Sequence, residues 1–218
     1  MNEEYFAGLD LGQSQDFTAL AVVERVELTG ERDAVTWAFK KTTALRLRHL
    51  ERLPLGTPYP DMVERTSEVM NSRQLADRSH LAVDATGVGR PVVDLLRRKR
   101  MPCRLWPVLI TGGEVETQGE GFYRVPKRDL IVGLQVTLQS GELQIAAGMK
   151  EGPTLVRELL ETRVKVTASG HEQFGAWREG EHDDLVLAVA LACWTVKKAY
   201  PNTPHEGGYW KGEERLVW

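Results

Sequence analysis

Cysteine is scarce: the 218 residues contain two, Cys103 and Cys193, in apolar surroundings with no His or Cys nearby at ligand spacing. That argues against a disulfide or a zinc site, and two buried free thiols in a reducing cytosol are expected. Long hydrophobic runs are missing too. The longest, residues 185–194, falls short of the roughly 18 residues that cross a bilayer, so no membrane association is expected. Residues 1–4 lack the charged-then-apolar order of an export signal, which points to a cytoplasmic protein. An excess of one charge sign is also lacking. The formal net charge of -3 argues against a strongly basic nucleic-acid coat. It does not exclude DNA as a substrate, because an enzyme that gathers carboxylates around divalent cations carries local negative charge of its own. No internal repeat is present. A hydrophobic fraction of 42% supports a substantial core, and the expectation is one domain over residues 1–199 with an irregular Pro- and Gly-containing tail over 200–218.

Residues 5–11 read as a first strand carrying an acid near its end, 12–16 as a polar turn, and 17–26 as a second, β-branched strand. A hairpin turn is predicted over 29–33, a third strand over 34–43, and a basic, then proline-rich connection over 46–60. The spacing of Met62, Val63, Val69, Met70 and Leu75 predicts a helix over 61–76. Residues 80–84 form a short apolar strand ending in Asp84, followed by a glycine turn, a helix over 91–100 and a strand over 103–110. That β-turn-α-β unit marks a mixed α/β sheet. A loop over 111–121, an extended segment over 122–126, helices over 127–139 and 152–162, and a strand over 142–145 follow. Two strands over 163–167 and 173–177 form a hairpin. The last helix, 181–198, opens on Asp183-Asp184 and closes on Lys197-Lys198, which suits both ends of the helix dipole.

Three acidic positions share a topological logic. If the first and fourth strands are neighbours, Asp10 and Asp84 lie side by side, and a final helix packed across the sheet brings Asp183 and Asp184 to the same spot. Carboxylates gathered in this way repel and need cations, and oxygen-only ligands suit Mg²⁺ or Mn²⁺. Two such ions roughly 4 Å apart can activate water and stabilise the leaving oxygen in phosphodiester cleavage. Each acid alone has a plainer reading: a turn former for Asp10 or Asp84, a helix N-cap for Asp183 or Asp184. The apolar run 185–194 shifts the balance, since a helix buried all round does not ordinarily receive two adjacent acids unless its start faces a polar site.

The run Gly8-Leu9-Asp10-Leu11-Gly12, with Asp16 and the apolar stretch 18–23, resembles the first nuclease motif of phage terminase large subunits. Residues 83–89 (Val-Asp-Ala-Thr-Gly-Val-Gly) resemble their second. Residues 125–130 with 141–145, and above all 182–192 beginning His182-Asp183-Asp184, are similar as well. The resemblance spans residues 5–198 and implies a ribonuclease H-like mixed β-sheet flanked by helices, two divalent metal ions and cutting of packaged viral DNA. It implies Asp10, Asp84 and Asp184 as catalytic metal ligands, with Asp183 supporting or alternative; adjacent helical residues point about 100° apart, so the two acids play unequal roles. It also suggests Asp16 and His182 as supporting groups, beside their plainer turn and structural readings. A packaging ATPase (separate or fused), a small terminase and a portal are the implied partners. No Gly-x-x-x-x-Gly-Lys-Ser/Thr loop is present, so no DNA translocation is expected of this chain alone.

Candidate DNA-binding residues are Arg124, Lys127 and Arg128, with further clusters at Arg46, Arg48 and Arg52 and at Arg97, Arg98, Lys99 and Arg100; each has the alternative of a solvated face. Contacts to DNA are expected mainly at the backbone. Two rival readings remain at this level. One is a catalytically idle DNA-binding or assembly module of the same fold. The other is an actin-like ATP-dependent phosphotransferase, whose first strand also carries an Asp-x-Gly such as Asp10-Leu11-Gly12, but which normally needs two related domains.

Overall fold

The protein is described here as a computed structural model covering residues 3–12, 16–87, 89–166, 172–175 and 182–201. In chain order the elements are β1 (Glu4–Asp10), β2 (Ala19–Arg32), β3 (Phe39–Arg52), α1 (Tyr59–Met70), β4 (Ser79–Asp84), α2 (Gly89–Lys99), β5 (Arg104–Thr111) and β6 (Thr117–Gly119). They continue with β7 (Phe122–Pro126), α3 (Lys127–Gln139), β8 (Leu143–Ile145), α4 (Gly152–Glu161), β9 (Arg163–Val166), β10 (Glu172–Gly175) and α5 (Asp184–Ala199). Eight strands form one mixed sheet in the order β6-β7-β5-β4-β1-β2-β3-β8, and β9 pairs with β10 separately. β1 runs antiparallel to β2 and parallel to β4, which makes the first and fourth strands neighbours, the condition under which Asp10 and Asp84 lie side by side.

Side chains alternate across a strand, and that alternation assigns the two faces. Tyr5, Ala7, Leu9, Leu20, Val22, Leu81 and Val83 pack under α1 and α2 with Val63, Met70, Val92, Val93 and Leu96. Phe6, Ala19, Ala21, Val23, Ala82, Trp106 and Val108 face α3, α4 and α5. By the same period Asp10 and Asp84 lie on the α5 side. α5 is buried without a break from Asp184 to Val196, the behaviour of a helix that is apolar all round. Among the described residues no helix is long and apolar enough to cross a membrane.

Several boundaries differ from expectation. The β2–β3 turn falls at residues 33–38, not 29–33, because the Asp33 Oδ1 accepts the amides of Val35 (2.9 Å) and Thr36 (2.8 Å) and fixes the bend there. β3 then runs through Arg52, into the stretch expected to be a connection: Leu45, Leu47 and Leu50 enter the core between basic neighbours. The helix expected over 61–76 starts at Tyr59 and stops at Met70, and the expected loop 111–121 contains β6. Cys193 is buried but Cys103 only partly so. The last helix, expected from residue 181, begins at Asp184, after the non-helical His182 and Asp183. The link 167–171 and the end 176–177 of the second hairpin, and the tail from 202 onward, lie outside the described residues.

Candidate active site

The site is built where α5 crosses β1. A Cβ placed on Gly8 would overlap the carbonyl oxygen of Ala188 and stand 2.8 Å from Ala192 N and 2.9 Å from Leu191 Cβ. Only glycine lets the helix descend this close. Asp10 lies two residues beyond Gly8 on the same face, and Asp184 lies one helical turn before Ala188, so the two carboxylates meet at the end of the sheet. The parallel register Leu9↔Val83, carried one residue further, brings Asp84 beside Asp10. Past Asp84 the chain turns sharply. The Thr86 amide donates to Asp84 Oδ1 (2.8 Å), Gly87 takes φ 61°, and a Cβ on Gly89 would overlap the Asp84 carbonyl oxygen. The glycines of the second motif therefore make the turn that presents Asp84.

Asp10 is 6% and Asp184 5% exposed, so little water is left to solvate either charge. Burial raises the Asp10 pKa well above the ordinary carboxylate range, and the neighbouring charges of Asp84, Asp184 and Asp183 push it further, against the pull of Lys127. Burial also raises Asp84, opposed by hydrogen bonds from Thr86 and by Lys127. Asp184 is pushed up to about 6, chiefly by burial, with Arg52 and His182 opposing and Asp183 and Asp16 adding to the rise. The site is thus an acidic cluster short of positive charge, the electrostatic condition that a bound cation relieves.

Its internal cations are engaged at the edges. Lys127 Nζ donates to Asp183 Oδ2 at 2.6 Å. Arg52 Nη2 donates to Asp184 Oδ2 at 3.2 Å and also to Glu158. The Arg52 guanidinium lies 4.5 Å from the Phe17 ring centre, and Phe17 stands edge-on to His182 at 5.2 Å. His182 Nδ1 is 3.8 Å from Asp184 Oδ2. Asp183 occupies the position before α5, but its side chain does not cap the helix. Among the described residues no three His, Cys, Asp or Glu side chains already stand at metal-ligand spacing; Lys127 and Arg52 hold Asp183 and Asp184 in ion pairs instead.

Arg124 and Arg128 form exposed ion pairs with Glu120 (3.6 Å) and Asp129 (3.5 Å). Arg46 donates to Gln144, Arg48 to the buried Glu24, Arg97 to Asp94 and Lys99 to Glu64; Arg98 and Arg100 are exposed. Asp16 is exposed and acts on Asp184 through its charge. Arg52, read from the sequence as a DNA contact, is an internal group of the site. Glu158 was not singled out by sequence reasoning at all. Its signal was available: it lies three residues after the fully buried Leu155, on the apolar stripe of an amphipathic helix.

No protein-family model matches the sequence, and no curated protein does. Solved structures do match. The large terminase nuclease of thermophilic phage G20c with bound magnesium superposes with a TM-score of 0.60 at 22% identity, over 88% of this chain and 82% of that one. This chain has the large-terminase nuclease fold. The large terminase nuclease domain of bacteriophage SPP1 with bound manganese matches at a TM-score of 0.51 and 12% identity, over 88% and 86% of the two chains. A nuclease-domain mutant of the large terminase subunit of bacterial virus Sf6, with manganese and beta-thujaplicinol, matches at 0.57 and 13%, over 87% of each chain. The ribonuclease H-like α/β architecture expected from the sequence is the one observed: a mixed sheet between helical layers.

Proposed function

We propose that this terminase-type fold is a Mg²⁺- or Mn²⁺-dependent DNA endonuclease that hydrolyses phosphodiester bonds without a covalent intermediate. The observation that carries the reading is Asp10, buried at the end of β1 with Asp84, Asp183 and Asp184 as its charged neighbours. Buried like charges of this density are costly unless a cation joins them. The donor set is all carboxylate, which suits a hard divalent ion and not zinc. Magnesium, cobalt and manganese bound to neighbours of the same fold support the same assignment.

Asp10, Asp84 and Asp184 would hold the ions, with Asp183 supporting. A bound pair would supply a deprotonated water at neutral pH and charge neutralisation at the leaving oxygen. The chain itself does the positioning. Gly8 sets the depth of α5, and the Gly87–Gly89 turn fixes Asp84. Lys127, paired with Asp183, tempers the negative field that DNA phosphates meet. Arg124, Lys127 and Arg128 are proposed to face the DNA backbone. In the cell, a packaging ATPase, small terminase and portal are the proposed partners, with viral genome packaging in the cytoplasm as the setting.

Titration with Mn²⁺ by calorimetry tests the reading at its root. Wild type is expected to bind with a stoichiometry near two, and Asp10→Asn and Asp84→Asn to lose at least one of those sites. Wild type that stays folded and takes up no divalent ion overturns it.

A further inference from the structure

The start of α5 carries two acids, yet neither caps the helix. The group that does so comes from another helix. Glu158 of α4 is 3% exposed, and its two oxygens divide their work. Oε2 accepts the backbone amides of Leu185 (3.0 Å) and Val186 (3.2 Å), while Oε1 accepts from Arg52 Nη2. Leu185 and Val186 are the second and third residues of α5, whose amides an N-cap side chain would ordinarily take. The same Arg52 nitrogen reaches on to Asp184 Oδ2, so a single guanidinium bridges the capping acid and the candidate metal ligand.

We infer that Glu158 and Arg52 are positioning residues: Glu158 caps α5 from outside, which leaves Asp183 and Asp184 free of capping, and Arg52 sets the direction of the Asp184 carboxylate. This rests on the metal-dependent reading of the site. The chemistry is specific to these side chains. A capping aspartate at the position before α5 would turn its carboxylate back onto the helix amides and away from Asp10. Asp183 is spared that and bonds Lys127 instead. Arg52 has its own support, the Phe17 face, and its planar fork can serve two acceptors, which a lysine ammonium on a flexible stem holds less well. Groups that orient metal ligands typically change metal affinity by about 10–100-fold when removed.

The test uses the full chain with Mn²⁺ as probe, comparing wild type, Glu158→Gln, Glu158→Ala, Arg52→Lys and the Glu158→Gln/Arg52→Lys pair. Mn²⁺ affinity comes from calorimetry and amide protection from hydrogen exchange. Glu158→Gln keeps side-chain volume and one acceptor, so it remains informative if Glu158→Ala does not fold. Folded Glu158→Gln and Arg52→Lys are each expected to lose about tenfold in Mn²⁺ affinity, and the double variant to lose little more than the worse single, because both act on one carboxylate. The Leu185 and Val186 amides should exchange faster in the Glu158 variants and stay protected in Arg52→Lys. Folded single variants with wild-type Mn²⁺ affinity, or unchanged exchange at those amides in Glu158→Ala, overturn the inference. Wild type that binds no Mn²⁺ is a different failure: it removes the metal-site reading and the positioning role with it, and faster exchange in the variants then leaves Glu158 as a helix cap only.

Discussion

Lys127 donates to Asp183 across 2.6 Å, so the first residue of α3 is tied to the residue just before α5. The pair draws together two elements more than fifty residues apart and sets a positive charge beside the acidic cluster. Lys127 also lowers Asp10 and Asp84 against the burial that raises them.

Removing that charge makes both carboxylates easier to protonate. In Lys127→Met the acid limb of the pH–rate profile for Mn²⁺-dependent cleavage is therefore expected to move to higher pH. Initial rates across pH 5 to about 9 on one DNA substrate measure it. An acid limb that stays in place contradicts the role given to Lys127.

Stability without metal should fall as the pH rises. Burial raises Asp10 and Asp84, and brings Asp184 to about 6 and Glu158 to about 7 in the folded chain. The unfolded values lie near 4. A raised folded value means the native state holds protons more tightly, so its contribution is complete below about pH 4 and is lost as the pH rises through 6 and 7. For Asp184 alone the loss is on the order of 3 kcal/mol. Thermal melts in chelator should give a lower Tm at pH 8 than at pH 5, with Mn²⁺ restoring much of the difference at pH 8. Asp10→Asn should melt higher than wild type at pH 8 in chelator. A Tm that does not depend on pH over this range counts against the electrostatics described.

Gly8→Ala inserts a methyl against the Ala188 carbonyl oxygen and the Leu191 side chain. Overpacking of this kind typically costs about 1–3 kcal/mol. Denaturant unfolding should show that loss, and Mn²⁺ affinity should drop with it, because the helix carrying Asp184 is pushed off the sheet. A variant as stable as wild type would show that α5 does not depend on this contact.

Much of this was legible in the sequence, for a definite reason. Asp10 and Asp84 close strands whose neighbours alternate between two buried faces, and Asp184 opens a helix apolar all round; periodicity gives those faces, and the β1–β4 pairing brings the acids together. The supporting groups were harder to read. Arg52 and Glu158 lie 106 residues apart and meet only because β3 continues past its expected end. The basic run 46–52 looked like a connection, since arginines between leucines weaken the apolar signal, and that one boundary hid the role of Arg52. The turn was misplaced for a related reason: Thr29-Gly30 resembles a bend, but the side chain of Asp33 makes the real one.

Arg124 and Arg128 take part in exposed ion pairs that cost little to break. If each meets a DNA phosphate, Arg124→Ala and Arg128→Ala should weaken binding evenly across sequences and reduce the log–log salt slope by about 1 apiece. Fluorescence anisotropy on a catalytically silenced background, at several salt concentrations, reads this directly. An unchanged slope removes them from the DNA path.

The most direct test of the central claim is cleavage of supercoiled plasmid in Mn²⁺, Mg²⁺ or chelator by wild type, Asp10→Ala and Asp184→Ala. The account predicts nicking or linearisation that requires a divalent ion and is lost in both folded variants. Cleavage that survives chelator, or persists undiminished in either variant, would contradict it.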